Sequence, residues 1–149
     1  MSVQKGGFHQ RISFETKDGI QTFDELGDGI RTIVRTRDNL YRRAVICKLD
    51  QKKRIYKIQF RRGVYANTDT IIYAADDQEW LITGRGAKET KDLKRGDELY
   101  KTEDIAPAWE VISVEPSEEE CDVWSVKVTD GESFMLRNAI PTMSYKEDV

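Results

Sequence analysis

The sequence predicts an all-β fold, and three observations carry that prediction. Apolar residues recur with period two, turn-forming triplets punctuate the chain at short intervals, and helical periodicity is nearly absent. In "RIYKIQF" Tyr56, Ile58 and Phe60 alternate with Ile55, Lys57 and Gln59, and in "DVWSVKV" Trp124, Val126 and Val128 alternate with Val123, Ser125 and Lys127. Further strands are expected at 11–16, 30–36, 42–50, 64–73, 79–83, 97–102, 109–115 and 133–137, divided by "KDG", "GDG", "RDN", "GRG", "RGDE" and "TDG". Only "TFDEL" and "ETKDL" can form a helical turn, the first with Thr22 as N-cap and Glu25 in the capping-box position.

An internal repeat refines the all-β reading. "TFDELGDG" (22–29) is similar to "TKDLKRGDE" (90–98), "AVICKL" (44–49) to "EVISVE" (110–115), and "IYKIQF" (55–60) to "VWSVKV" (123–128). Thr22 to Thr90 and Ile55 to Val123 are each 68 residues apart, and Ile46 to Ile112 is 66. Three matches in order at nearly one offset predict two similar β units about a pseudo-twofold axis, against the alternative of chance likeness between short strands.

At 149 residues and 17.2 kDa the chain has the size of one ordinary domain, expected over 1–149 with tails at 1–7 and 146–149. Without a long apolar run or a secretory leader in "MSVQKGG", the expectation is a cytoplasmic, monomeric protein that neither spans nor binds membrane. Cys47 and Cys121 lack metal-type spacing, and no cofactor or metal is expected. The net charge of −3 conceals an asymmetry: residues 31–62 carry twelve Lys or Arg against Asp38 and Asp50, a formal +10, so the rest of the chain carries −13, much of it in "EPSEEECD" (115–122). Either the two segments face one another, or Arg42, Arg43, Lys52, Lys53, Arg54, Arg61 and Arg62 form a hairpin surface for nucleic acid or an acidic partner.

The order "FETKDGIQTFDEL", a basic hairpin, "ADDQEWLITGRG", "ETKDLKRGDEL", "VISVE" and "VWSVKVTDGESFMLRNAIPTMS" resembles the Hint domain of inteins, in particular the mini-inteins of phage genes. The resemblance spans residues 8–145 and implies the pseudo-twofold, horseshoe-shaped Hint fold of short strands and hairpins. It also implies a self-splicing ancestry. In that family the first residue is a Cys or Ser nucleophile, and the matching position here is Phe8. A central Thr-x-x-His strains and protonates the scissile amide; its positions fall on Ala75 and Gln78. The terminal Asn and its following nucleophile match Ser144 and Tyr145, and the penultimate position is Met143. The resemblance thus implies that both cleavage steps are disabled: phenylalanine cannot attack, glutamine carries no proton near neutral pH, serine has no amide with which to cyclise, and a phenol is a poor acyl acceptor.

A minority class of inteins uses an internal nucleophile, marked by a Trp after the central His, a late-strand Cys and a Thr near the C-terminus. Trp80 and Thr142 match two of these, and Ser125 stands at the cysteine position. The expected function is therefore a Hint domain that keeps the fold and lacks the splicing residues, serving as a scaffold or binding domain for a host or flanking phage protein. Autoprocessing through Ser125, with Trp80 and Thr142 shaping its pocket, is one alternative; the basic hairpin as a binding module is the other. Asp76, Asp77 and Glu79 are expected in a solvated loop, His9 on the surface, and Cys121 as an unreactive thiol beside acidic neighbours.

Overall fold

In the computed structural model, which describes residues 3–63, 69–102 and 107–148, the predicted alternation becomes a curled antiparallel sheet with two small satellite sheets. The chain runs through β1 (Val3–Lys5), β2 (Ser13–Thr16), β3 (Gly19–Thr22), the single-turn α1 (Phe23–Leu26), β4 (Arg31–Arg35), β5 (Tyr41–Arg62), β6 (Thr70–Ala75), β7 (Glu79–Ile82) and β8 (Gly86–Glu89). It then passes a 3-10 turn (Thr90–Asp92) and continues through β9 (Trp109–Val128), β10 (Ser133–Leu136), β11 (Ile140–Met143) and β12 (Lys146–Asp148). The large sheet has the order β11-β10-β2-β4-β5-β6, with β3 on β2 and β9 on β5, while β7 pairs with β8 and β1 with β12.

Several expected strands merge. The segments 42–50 and 55–60 are one strand, because "DQKKR" between them holds no Gly, Pro or Asn to reverse the chain. There is therefore no basic hairpin; the basic residues lie along β5. Likewise 109–115 and 123–128 are one strand, β9, in which Pro116 sits opposite Tyr56 beside a register shift that relieves its missing N–H. The expected strand at 97–102 is reduced to isolated bridges, Ile82↔Leu99 and Glu98↔Glu110, and much of 64–73 lies outside the described residues. The segments read as tails contain β1 and β12, which pair Val3↔Asp148 through Lys5↔Lys146.

The β5–β9 ladder carries the twofold relation. Its regular runs, Ala44–Lys48 against Trp124–Val128 and Tyr56–Gln59 against Ser113–Pro116, flank an irregular centre. Adding 68 to Ile46 and subtracting it from Val126 gives the observed pair Ile58↔Val114. Each half also has its own turn before the ladder: α1, capped by Thr22 accepting from the Glu25 N–H, and the 3-10 turn at Thr90. A line of aromatics then ties the halves together, from Phe14 on Phe23 (4.7 Å) through Phe134 and Phe8 to Trp80 and Phe60. All six are fully buried.

Candidate functional site

The site forms where the entering segment 4–8 passes under the β6–β7 turn. Phe8 N–H donates to Trp124 O (2.7 Å), Trp124 N–H to Phe8 O (2.9 Å) and Ala75 N–H to Gly7 O (2.9 Å), so this segment is inserted between β6 and β9 as a short strand. Phe8 points into the aromatic core, where its ring stacks on Phe23 and meets Phe134 and Trp80 edge-on. It is a packing residue.

The next link is the turn at 76–77. It ends β6 and aims Gln78 inward, with Gln78 N–H on Ala75 O (3.1 Å). Gln78 is 2% exposed and uses both ends of its amide. Its Oε1 accepts from Gly7 N–H (2.8 Å), while Nε2 donates to Met143 O (2.8 Å), Thr142 Oγ1 (2.9 Å) and Glu79 O (3.2 Å). One side chain thus ties the entering strand to the leaving strand β11. Thr142 Oγ1 donates in turn to Glu79 O (3.3 Å), and Trp80 Nε1 donates to Thr90 Oγ1 (3.0 Å). Trp80 and Thr142 therefore brace this network.

On the other side of the same peptide unit stands Lys53, whose place in the sequence suggested a solvated basic face. The alternation along β5 instead turns it inward, leaving it 8% exposed. Its Nζ donates to Gln4 O (2.6 Å), Gly6 O (3.0 Å) and both carboxylate oxygens of Asp77, at 2.9 and 3.1 Å. Asp77 also accepts from Gly6 N–H (3.2 Å), so it is a partner of the buried ammonium rather than a solvated loop residue. The Gly6–Gly7 amide is consequently held at both ends: its oxygen by Lys53 and its N–H by Gln78. A buried ammonium with a carboxylate and two carbonyls as partners satisfies the requirement that charge taken from water be matched in place. Neither motif nor spacing singles out Lys53; the inward phase of the alternation, shared with Ile55, was the available signal.

Lys5 continues the contacts outward, 2.8 Å from Glu89 and 3.7 Å from Glu79. Its hydrogen bond to Glu89 raises the lysine against the opposing effect of burial, and the same bond holds the Glu89 carboxyl below its ordinary range. A depressed carboxyl contributes stability above its ordinary value of 4.5 and loses it as the pH falls; a raised lysine contributes below its ordinary 10.5 and loses it as the pH rises. The segment is therefore expected to be held most firmly between these limits, and a lower urea midpoint at pH 3 than at pH 7, followed by tryptophan fluorescence, is the expected result.

Ser125 lies on the β9 face shared with Val123, opposite Cys47. Its Oγ is enclosed and has no hydrogen-bond partner among the described residues. Ala75 and Ser144 are buried, and Tyr145 N–H donates to Val126 O (2.8 Å), which lays the leaving chain along β9. The Cys121 thiol is raised, first by burial and then by Asp122 and Glu119. His9 is half-buried, its Nδ1 accepting from Arg11 N–H in a turn.

The charge asymmetry is compensated across the ladder. Lys52 pairs in register with Asp122, Arg54 with Glu120 and Lys57 with Glu115. Lys48 lies 3.6 Å from Asp122, Arg61 pairs with Asp69 (2.9 Å), and Arg62 donates to Pro107 O and covers Trp109. Arg42 and Arg43 remain beside the Thr129–Asp130 turn. Among the described residues no group of three or more His, Cys, Asp and Glu could hold a metal ion, and no helix is long and apolar enough to cross a membrane.

Neither a family model nor a curated protein matches the chain. Solved structures do. The gp41-1 intein superposes with a TM-score of 0.72 at 18% identity, covering 93% of this chain and 98% of that one. A DnaB intein from Synechocystis sp. PCC 6803 gives 0.73 at 12% identity over 93% and 98%. A bacterial intein-like domain from Clostridium thermocellum gives 0.68 at 12% identity over 93% and 97%. With nearly full coverage in both directions, the chain has the fold of the inteins and of the bacterial intein-like domain.

Proposed function

We propose that this chain is a domain of the protein-splicing family that holds a peptide unit at the place where such domains cleave, and leaves it intact. The observation that carries this reading is the contact between Gln78 and Gly7 N–H at 2.8 Å. For a peptide bond to break, its nitrogen must gain a proton as it leaves. Gln78 turns an acceptor toward that nitrogen and has no proton to give.

The contact also supports Gly7, in place of Phe8, as the counterpart of the family's first position. The amide facing residue 78 is that of Gly7, whereas the amide of Phe8 is spent on Trp124 O. Gly7 offers no side chain at all, and Phe8 offers none that attacks. At the far end Ser144 cannot cyclise, and the Met143 carbonyl before it is occupied by Gln78 Nε2. Lys53 polarises the Gly6 carbonyl, but polarisation without a nucleophile and a proton donor produces no acyl transfer. What remains is a clamp: β1 and β12 lie side by side and Gln78 joins the strands behind them, so polypeptide on either flank is held together.

A second reading keeps Ser125 as an internal nucleophile, favoured by its enclosed Oγ, which has no hydrogen-bond partner among the described residues. Both readings are tested by intact-mass spectrometry on a fusion of the chain between two small reporter proteins, incubated with and without a thiol. A single uncut species is expected. Ligated reporters or a released fragment would overturn the clamp reading, and loss of that product in Ser125→Ala would assign the nucleophile.

A further inference from the structure

We propose that the groove formed by the β6–β7 turn, β8 and the Asp50–Lys53 stretch of β5 reads the sequence of the strand entering the fold, accepting a basic residue at position 5 and only glycine at positions 6 and 7. This rests on the clamp reading and deepens it by naming the polypeptide that the clamp takes: a segment of the chemistry Gln-basic-Gly-Gly-aromatic. A clamp built from backbone contacts alone would take any sequence. Here the contacts are specific to side chains, or to their absence.

Position 5 faces two carboxylates. Lys5 Nζ lies 2.8 Å from Glu89 and 3.7 Å from Glu79, all three side chains being less than a third exposed. An acidic residue there would meet like charges at contact distance, in surroundings that screen them less than bulk water does. At position 6 a Cβ would stand 2.6 Å from Gln78 Oε1. Gln78 cannot retreat, because that atom holds Gly7 N–H and the amide nitrogen holds β11. Position 7 is closed from the other side, since a Cβ would meet Val123 Cβ at 2.7 Å and Cγ2 at 2.8 Å. Both glycines also have positive φ, +92° and +126°, where a side chain is strained whatever the space. Position 4 is read by the Asp50 N–H on Gln4 Oε1 (2.6 Å), and position 8 by the aromatic pocket.

Selection for charge at position 5 has a test that a side chain merely filling the groove does not pass, which is rescue by exchanging the charges. Hydrogen exchange would be followed on the full chain for peptides covering residues 4–8 and, as an internal control, residues 31–35, which pair with 41–45 and not with the entering strand. Lys5→Glu is expected to speed exchange of the first peptide about tenfold and to leave the second unchanged, because opening is local. The double variant Lys5→Glu with Glu89→Lys is expected to return to within about threefold of the parent. Exchange unaltered in Lys5→Glu, or equally fast in the single and the double variant, would overturn the proposal. The outcome is separable from the fusion experiment: a cleaved fusion with intact charge rescue removes only the non-cleaving reading, whereas an uncut fusion without rescue removes only the specificity.

Discussion

Phe8→Ala is expected to lower the stability of the domain by about 4 kcal/mol, the range found for truncating a fully enclosed aromatic. For a domain of this size that corresponds to a fall in Tm of about 12 °C. The expected loss is large because Phe8 joins both halves of the core. Its ring lies 6.3 Å from Phe23, 6.0 Å from Phe134 and 5.9 Å from Trp80, and its backbone makes both hydrogen bonds to Trp124. Removing the ring leaves a void bounded by three aromatics that the surrounding ladders hold apart. Calorimetry checks the value. A Tm within about 3 °C of the parent would mean that Phe8 sits at a yielding rim and could be a site residue after all.

Gln78→Leu should cost about 3 kcal/mol even though the two side chains have similar volume. Leucine fills the space but leaves the Gly7 N–H, the Met143 carbonyl and the Thr142 hydroxyl without the partner that Gln78 supplies. Buried polar groups orphaned in this way cost about 1–3 kcal/mol each, partly recovered where Thr142 keeps its bond to Glu79 O. The expected pattern separates this residue from Phe8. Denaturant unfolding should show the stability loss, and hydrogen exchange should place the first opening at residues 4–8 and 140–145, the two strands that Gln78 joins. Equal protection of those strands in the variant and the parent would show that the amide does not link them.

Together these variants divide the site into a hydrophobic anchor and a polar clasp, which matters for evolution of the reaction. In a splicing domain the same geometry would hold a scissile amide taut between an acid and a nucleophile. In the proposed clamp, Gln78 offers a neutral amide where such an acid would stand, and Gly7 offers no nucleophile. Restoring one component would not suffice. A nucleophilic side chain at position 7 must displace Val123 and relax a φ of +126° before it can react. The packing, and not merely two missing side chains, keeps the bond intact in the proposed clamp.

The all-β class, the capped turn at Thr22, the pseudo-twofold offset and the boundaries of β4, β7 and β10 were determined by the sequence itself, because alternation, turn chemistry and capping act over a few residues. The side-chain chemistry at Ala75, Gln78 and Ser144 was legible there too, since alanine carries no polar group, glutamine no titrating proton near neutral pH and serine no amide. Tertiary structure decided the rest. It joined two predicted strands into β5 and two into β9, because long antiparallel partners compensate for charged stretches that look like interruptions in one dimension. It set "EPSEEECD" against the basic strand, which composition left open. It also turned Lys53 and Asp77 inward onto Gly6 and placed Gly7, not Phe8, against Gln78. Those contacts link residues 24 to 71 positions apart, and no local pattern encodes which buried group a distant strand will meet.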